Sequence, residues 1–200
     1  MRENSIREPI QKRSIEKKEK IIKAGFELIC KQGYHNTNTV EIAKAAGVST
    51  GIVYQYFKDK HDIFIIGLER YADEIFFPML TVSKSNFDKF DIEQILETMI
   101  NRFIENHKLS QKAHEEIMAM THSDKAVADF FHERELYMTD SIVNLLLQNG
   151  INSKNLEEKV HISIHLIDDL CHEIVYHKHE QLNYNIMIDL VIKTVVNLFK

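Results

Sequence analysis

Residues 37–60 read TNTVEIAKAAGVSTGIVYQYFKDK. Gly47 divides this stretch into two short helical patterns, about residues 39–46 and about residues 50–57. A glycine just past a helix end takes the left-handed conformation that closes the helix. Val48 is apolar and fills the gap between the two helices. Ser49 stands where the N-cap of the second helix belongs, with a hydroxyl able to accept from the first free N–H groups. Asn38 and Glu41 have the Asn-x-x-Glu spacing of a capping box for the first helix. Helix, glycine turn, helix is a helix-turn-helix arrangement. Ile42, Ala43, Val48, Val53 and Phe57 are its expected core.

Working outward, the 200 residues suit one domain, or a small domain plus a larger one. The net charge of −5 points to no polyanionic partner, but its distribution does. Through Lys60 there are 12 Lys/Arg against 7 Asp/Glu, a balance of +5; the remainder has 13 against 23, a balance of −10. The basic part is the part with the helix-turn-helix, as phosphate binding requires. Cys30 and Cys171 form no metal-type pair and read as two reduced thiols, with a redox switch as the lesser alternative. No charged segment followed by an apolar core opens the sequence, and no apolar run reaches the roughly 20 residues that span a bilayer. A cytoplasmic protein with no membrane association is expected.

Prolines occur only at positions 9 and 78, and Gly150 is the one glycine beyond Gly67. A chain so poor in breakers is expected to be all-α. Residues 1–12 read as a polar arm with Arg2, Arg7 and Lys12. Helices are expected over about residues 12–31, with Ile15, Ile22, Phe26 and Ile29 inward and Gly33 at its end. A fourth is expected from an Asp59 cap to a stop or kink near Pro78, with residues 81–90 a loop. Further helices are expected from an Asp91 cap to about 107, from a Ser110 cap to about 120, and from Ser123 or Asp124 to Gly150. The last two are expected over about 154–179, capped by Asn152 or Ser153, and over 184–199. The expected organisation is a DNA-binding domain over residues 1–58 and a larger helical domain over 59–200.

The second helix of the pair presents Thr50, Gly51, Tyr54 and Gln55 outward. Gly51 permits close approach, and Gln55 suits paired hydrogen bonds to adenine in the major groove. Tyr54 and Tyr56 offer hydroxyl donors to phosphate, and Lys60 offers a charge; Asn38 and Thr39 do likewise at the first helix's start, beside Ser49. Each has a bland counterpart: Asn38 and Ser49 as simple caps, the Tyr54 ring as core.

The run GYHNTNTVEIAKAAGVSTGIVYQYFKDKHDIF (33–64) resembles the DNA-binding signature of the TetR family of transcriptional regulators. The resemblance rests on Gly33, Tyr34, Thr37, Ile42, Ala43, Ala46, Gly47, Val48, Ser49, Gly51, Tyr54, Tyr56, Phe57 and Lys60. The upstream KIIKAGFELICKQG resembles the family's first helix. Position 56 is often histidine in the family; Tyr56 keeps a ring and a donor. The resemblance implies Thr50, Gly51, Tyr54 and Gln55 near bases, with Tyr56 and Lys60 on the DNA backbone. It also implies a small-molecule effector bound in a helical bundle, and a homodimer formed through the last two helices.

Those helices are very apolar, through Val160, Ile164, Ile167, Cys171 and Val175, then Ile188, Val191, Ile192 and Val195. They suit either a four-helix interface across a two-fold axis or internal core. Effector candidates on the middle helices are Phe76, Met99, Phe103 and Met118, together with Met120, Phe130, Tyr137 and Met138, each with plain core as its alternative. His161, His165, Asp168 and His172 recur on one face of the penultimate helix. Their spacing fits a metal, a polar pocket, a pH sensor or an interface, with a plain polar or exposed face as the alternative. His165, Asp168 and His172 are taken as pocket candidates, and no metal site and no cofactor are assigned. No Gly-rich phosphate loop, Gly-x-Ser-x-Gly or His-Glu-x-x-His occurs, so an enzyme is not expected. The expectation is a dimeric, effector-released repressor on a palindromic operator, with a protein-binding coactivator or adaptor as the rival.

Overall fold

A computed structural model describes residues 11–82, 91–107 and 109–200, with only the backbone described over 74–82. Among these residues all regular structure is helical: α1 (Lys12–Gln32), α2 (Thr39–Ala45), α3 (Thr50–Tyr56), α4 (Lys60–Val82), α5 (Ile92–Asn106), α6 (Gln111–Ser123), α7 (Lys125–Gln148), α8 (Leu156–Tyr176) and α9 (Tyr184–Leu198). The polar arm and the expected loop from residue 83 onward lie outside the described residues.

Helix starts follow from side-chain caps. Asp59 Oδ1 accepts from the N–H groups of His61 and Asp62 at 2.8 and 3.2 Å. Asp91, Ser110 and Asn183 cap α5, α6 and α9 in the same way. Asp124, rather than Ser123, caps α7, accepting from Ala126 and Val127. Gly47 (φ 68°) closes α2: its N–H bonds the Lys44 carbonyl at 3.2 Å, and the Val48 N–H bonds the Ala43 carbonyl at 3.0 Å. That pair of bonds satisfies carbonyls the helix end would leave open.

Four expectations need correction. Ser49 sits at the N-cap of α3 but makes no side-chain cap bond. Ile15 is exposed; burial on α1 begins at Ile21, so its first turns carry no packed apolar side chain. Helix α4 ends at Val82, four residues past Pro78, so the expected loop over 81–90 begins later than residue 81. Helix α8 starts at Leu156, since Asn155 takes the left-handed conformation (φ 59°) and interrupts any earlier start. It also ends at Tyr176, short of 179, where the Tyr184 hydroxyl accepts from the His179 N–H and donates to Glu173.

Packing forms two compact units, Met1–Ala72 with Leu109–Ala128, and Asp73–Lys108 with Asp129–Lys200. Helix α6 therefore belongs to the first unit, where it packs against α1. In the first unit, Ile21, Ile22, Ile42, Ala43, Val53, Phe57 and Ile63 make one core, with Val48 packed against it. Glycine allows α1 and α4 to approach closely: a Cβ at Gly67 would lie 2.6 Å from Phe26 Cβ, and one at Gly25 2.5 Å from Ile63 Cγ2. In the second unit α5, α8 and α9 pack mutually. Val143 and Leu146 of α7 meet Leu156 and Val160 of α8.

Candidate nucleic-acid interface

Helix α3 has one buried face and one open face. Val53, Tyr56 and Phe57 point inward, 0, 7 and 1 % exposed. Gly51, Tyr54 and Gln55 are exposed and Thr50 half-buried. Tyr54 is 46 % exposed, so its ring is not core, and its hydroxyl lies 3.0 Å from Thr39 Oγ1. That bond joins the start of α2 to the outer face of α3. A Cβ at Gly51 would meet only Ser49 Oγ, at 4.0 Å, so the position is open to an approaching partner.

Asn38 completes the expected capping box. Its Oδ1 accepts from the Val40 and Glu41 N–H groups at 3.1 and 3.0 Å, while Glu41 Oε2 accepts the Asn38 N–H at 3.3 Å. Its carbonyl oxygen thus serves the helix. Tyr56, expected on phosphate, has its ring in the core instead, because it falls beside Val53 on the inward side of a helix only seven residues long. Lys60 is also engaged. Its Nζ donates to the Tyr34 carbonyl at 2.6 Å and the Thr37 carbonyl at 2.8 Å, and lies 4.3 Å from the centre of the Tyr34 ring. It clamps the turn between α1 and α2.

Val40, Lys44 and Lys58 are exposed on the same small unit and were not singled out from sequence. The two lysines carried a signal in their charge; Val40 carried none, since an apolar residue after a cap reads as core.

Residues 21–65 match the family model for bacterial regulatory proteins of the tetR family. The chain is 45 % identical over 58 residues to the HTH-type transcriptional regulator HbdR of Aromatoleum sp. (strain CIB), covering 29 % of this chain and 25 % of that protein. It is 51 % identical over 45 residues to the fatty acid metabolism regulator protein of Bacillus subtilis (strain 168), covering 22 % of this chain and 23 % of that protein. These matches span about a quarter of each relative's length. A crystal structure of a candidate TetR-family transcriptional regulator from Mesorhizobium loti MAFF303099 superposes with a TM-score of 0.71, covering 94 % of this chain and 98 % of that one at 18 % identity; it shows a shared fold.

Residues 21–65 are a DNA-binding segment of the tetR family of bacterial regulatory proteins.

The effector candidates do not form one group. Met118 and Met120 are on α6, in the first unit. Met99, Phe103 and Met138 are buried in the second, Phe130 is half-buried near the Arg134 guanidinium, and Tyr137 is exposed. The side chain of Phe76 lies outside the described residues. Phe103 and His172 instead meet His107 and Tyr176. The Phe103 and His107 rings stack at 3.8 Å between centres, and His172 lies 5.2 and 5.1 Å from them. His172 Nδ1 is 3.2 Å from Asp168 Oδ2 and 2.9 Å from the Asp168 carbonyl. Burial lowers the pKa of His172, but the hydrogen bond and charge of Asp168 outweigh it and leave the imidazole above its ordinary value. Burial holds His107 below its ordinary value. His165 belongs elsewhere, against His161 and Glu135.

The interface candidates also divide. Val160, Ile167, Cys171, Ile192 and Val195 are buried within the single chain, because they face α5, α7 and the partner helix of the α8–α9 pair; they are core. Ile164, Val175, Ile188 and Val191 are half-buried. The outward apolar residues are Ile162, Ile186 and Leu190, which sequence reasoning passed over. Burial, with nearby carboxylates, pushes the Cys30 and Cys171 thiols up to about 12, so neither forms a reactive thiolate near neutral pH. No helix among the described residues is long and apolar enough to cross a membrane.

Proposed function

We propose that the chain is a DNA-binding transcriptional regulator acting in the cytoplasm: a homodimer that binds a palindromic operator and is released by a small-molecule effector. The observation that carries this reading is the open face of α3. Thr50, Gly51, Tyr54 and Gln55 are set by buried Val53 and Phe57 behind them and tied to α2 through Tyr54 and Thr39. A rigid, polar, glycine-opened edge is what base readout in a major groove needs. Dimerisation supplies the second recognition helix for a half-site one DNA turn away. The names of the matched relatives favour this over a coactivator or adaptor.

Effector release is a population shift: effector bound in the second unit favours an arrangement whose recognition helices no longer match the half-sites. Three covalent crossings carry it, because α4 and α7 each begin in the first unit and end in the second, and the chain re-enters the first at residues 109–128. There Glu116 of α6 accepts the Tyr34 N–H, and His61 Nε2 bonds Asp124 Oδ2 at 2.7 Å. The test is selection of binding sites from random duplex DNA, followed by titration of Gln55→Ala. Loss of discrimination at one base pair per half-site, by about 1–3 kcal/mol, is expected. Equal weakening on every sequence would remove Gln55 from base readout, and no salt-sensitive DNA binding at all would favour the adaptor.

A further inference from the structure

The histidine stripe on α8 is one face in sequence but two neighbourhoods in space. His161 and His172 are about 16 Å apart along the helix axis, at 1.5 Å per residue. His172 and Asp168 turn to His107 and Phe103 of the α5 end. His161 and His165 turn to Glu135 and Thr139 of α7.

We propose that Glu135, His161 and His165 form a binding site for a divalent transition-metal ion of the zinc type. One ligand atom from each lies within 4.8 Å of the other two. His161 Nε2 and His165 Nε2 are 3.2 Å apart, and His165 Nε2 is 4.0 Å from Glu135 Oε2. Tetrahedral zinc, with bonds of about 2.0–2.1 Å, sets its ligand atoms roughly 3.3 Å apart. Small side-chain rotations therefore close the set. Two histidines one helical turn apart supply two ligands from one rigid face.

The surroundings prepare the ligands. The Thr139 hydroxyl donates to the Glu135 carbonyl at 2.9 Å, so its oxygen is left to accept from His161 Nδ1–H at 3.1 Å. This fixes the His161 tautomer with the Nε2 lone pair facing His165 and Glu135, the outer-shell arrangement that orients metal-bound imidazoles. His165 is exposed and Glu135 half-buried, which gives the ion an entry path and leaves a fourth position for water. Two imidazoles and one carboxylate select zinc-like ions over magnesium or calcium.

A second group, Asp59, His61 and Asp62, has similar spacing but its atoms are engaged. Asp59 Oδ1 caps α4, Asp62 Oδ2 accepts the Lys58 N–H at 2.8 Å, and His61 Nε2 bonds Asp124. It carries no such site. A bound ion at the first group ties α7 to α8 inside the second unit.

The experiment is titration of the full chain with Co2+, read by its visible absorption, and with Zn2+ in competition with a chromogenic chelator. One ion per chain is expected, with the intense bands of four-coordinate cobalt. Glu135→Gln, His161→Ala and His165→Ala should each weaken binding by at least about tenfold, and Thr139→Val by about tenfold. His107→Ala and His172→Ala should leave it unchanged. Glu135→Gln is nearly isosteric, so its effect does not depend on a variant that misfolds. Failure to retain Zn2+ at micromolar concentration would overturn the proposal. So would unchanged binding in the His161→Ala/His165→Ala double variant, which would place the ion among the other histidines. Neither readout involves DNA, so the site stands or falls apart from the proposed regulator function.

Discussion

Lys60 opens α4 with its ammonium on two carbonyls and over the Tyr34 ring. A lysine after a helix-turn-helix reads as a phosphate contact, yet two of its three donors hold the α1–α2 turn. The structural role and the DNA role make different predictions. Lys60→Met keeps the stem and removes the charge-assisted bonds, each of a kind contributing about 1.5–3 kcal/mol. The expected outcome is a stability loss of about 2 kcal/mol in urea unfolding, with the salt dependence of operator binding essentially unchanged. A salt slope reduced by about one would restore Lys60 to phosphate. Asn38 raises the same issue: the Asn-x-x-Glu spacing was legible, and the structure shows both halves of the box. Ser49 had an equally good sequence signal, yet its hydroxyl makes no cap bond.

At the level of elements, the crossing of α1 and α4 depends on two glycines that no helical periodicity singled out. Alanine normally stabilises a helix interior over glycine by about 1 kcal/mol. At Gly67 the added Cβ would meet Phe26 Cβ, an atom close to the backbone that cannot swing aside. Overpacking of this kind costs about 1–3 kcal/mol, so Gly67→Ala is expected to lower the melting temperature. A raised one would show that the crossing can relax.

The α5–α8 contact carries a pH signature. His172, with Asp168 on it and Asp169 nearby, has its pKa raised in the fold. It contributes stability that is complete below the unfolded value of 6.5 and lost as pH rises through the folded value. His107 has its pKa lowered, so its contribution is present above 6.5 and lost as pH falls through its folded value. Unfolding measured across pH should show His172→Gln flattening the alkaline limb and His107→Gln the acid limb. The reverse assignment would contradict the geometry.

For the whole molecule, the proposed dimer is where burial redirects the reading. Ile186 and Leu190 are one turn apart on α9 and each is 56 % exposed, with Ile162 outward on α8. Burying such side chains contributes about 1.5–3 kcal/mol each. Ile186→Asp/Leu190→Asp is expected to give folded monomers in sedimentation, with weaker operator binding. A dimer that persists would put the interface elsewhere. Asp at buried Ile192 or Val195 should instead unfold the second unit.

What the sequence determined by itself was local. The scarcity of breakers set the helical class, Gly47 the turn, and Asn38, Asp59, Asp91 and Ser110 the helix starts, because caps and turns involve residues within a few positions of each other. The charge split and the open face of α3 were legible for the same reason: both are properties of a contiguous stretch. Tertiary structure decided everything that needs a second element. It turned Tyr56 and Lys60 inward, gave α6 to the first unit, and made core of Val160, Ile167 and Cys171. It also divided the α8 histidines, since only packing brings Glu135 and Thr139 of α7 to one end of that face and His107 to the other. A helix sequence shows which residues share a side; what stands opposite that side is set by chain segments far away.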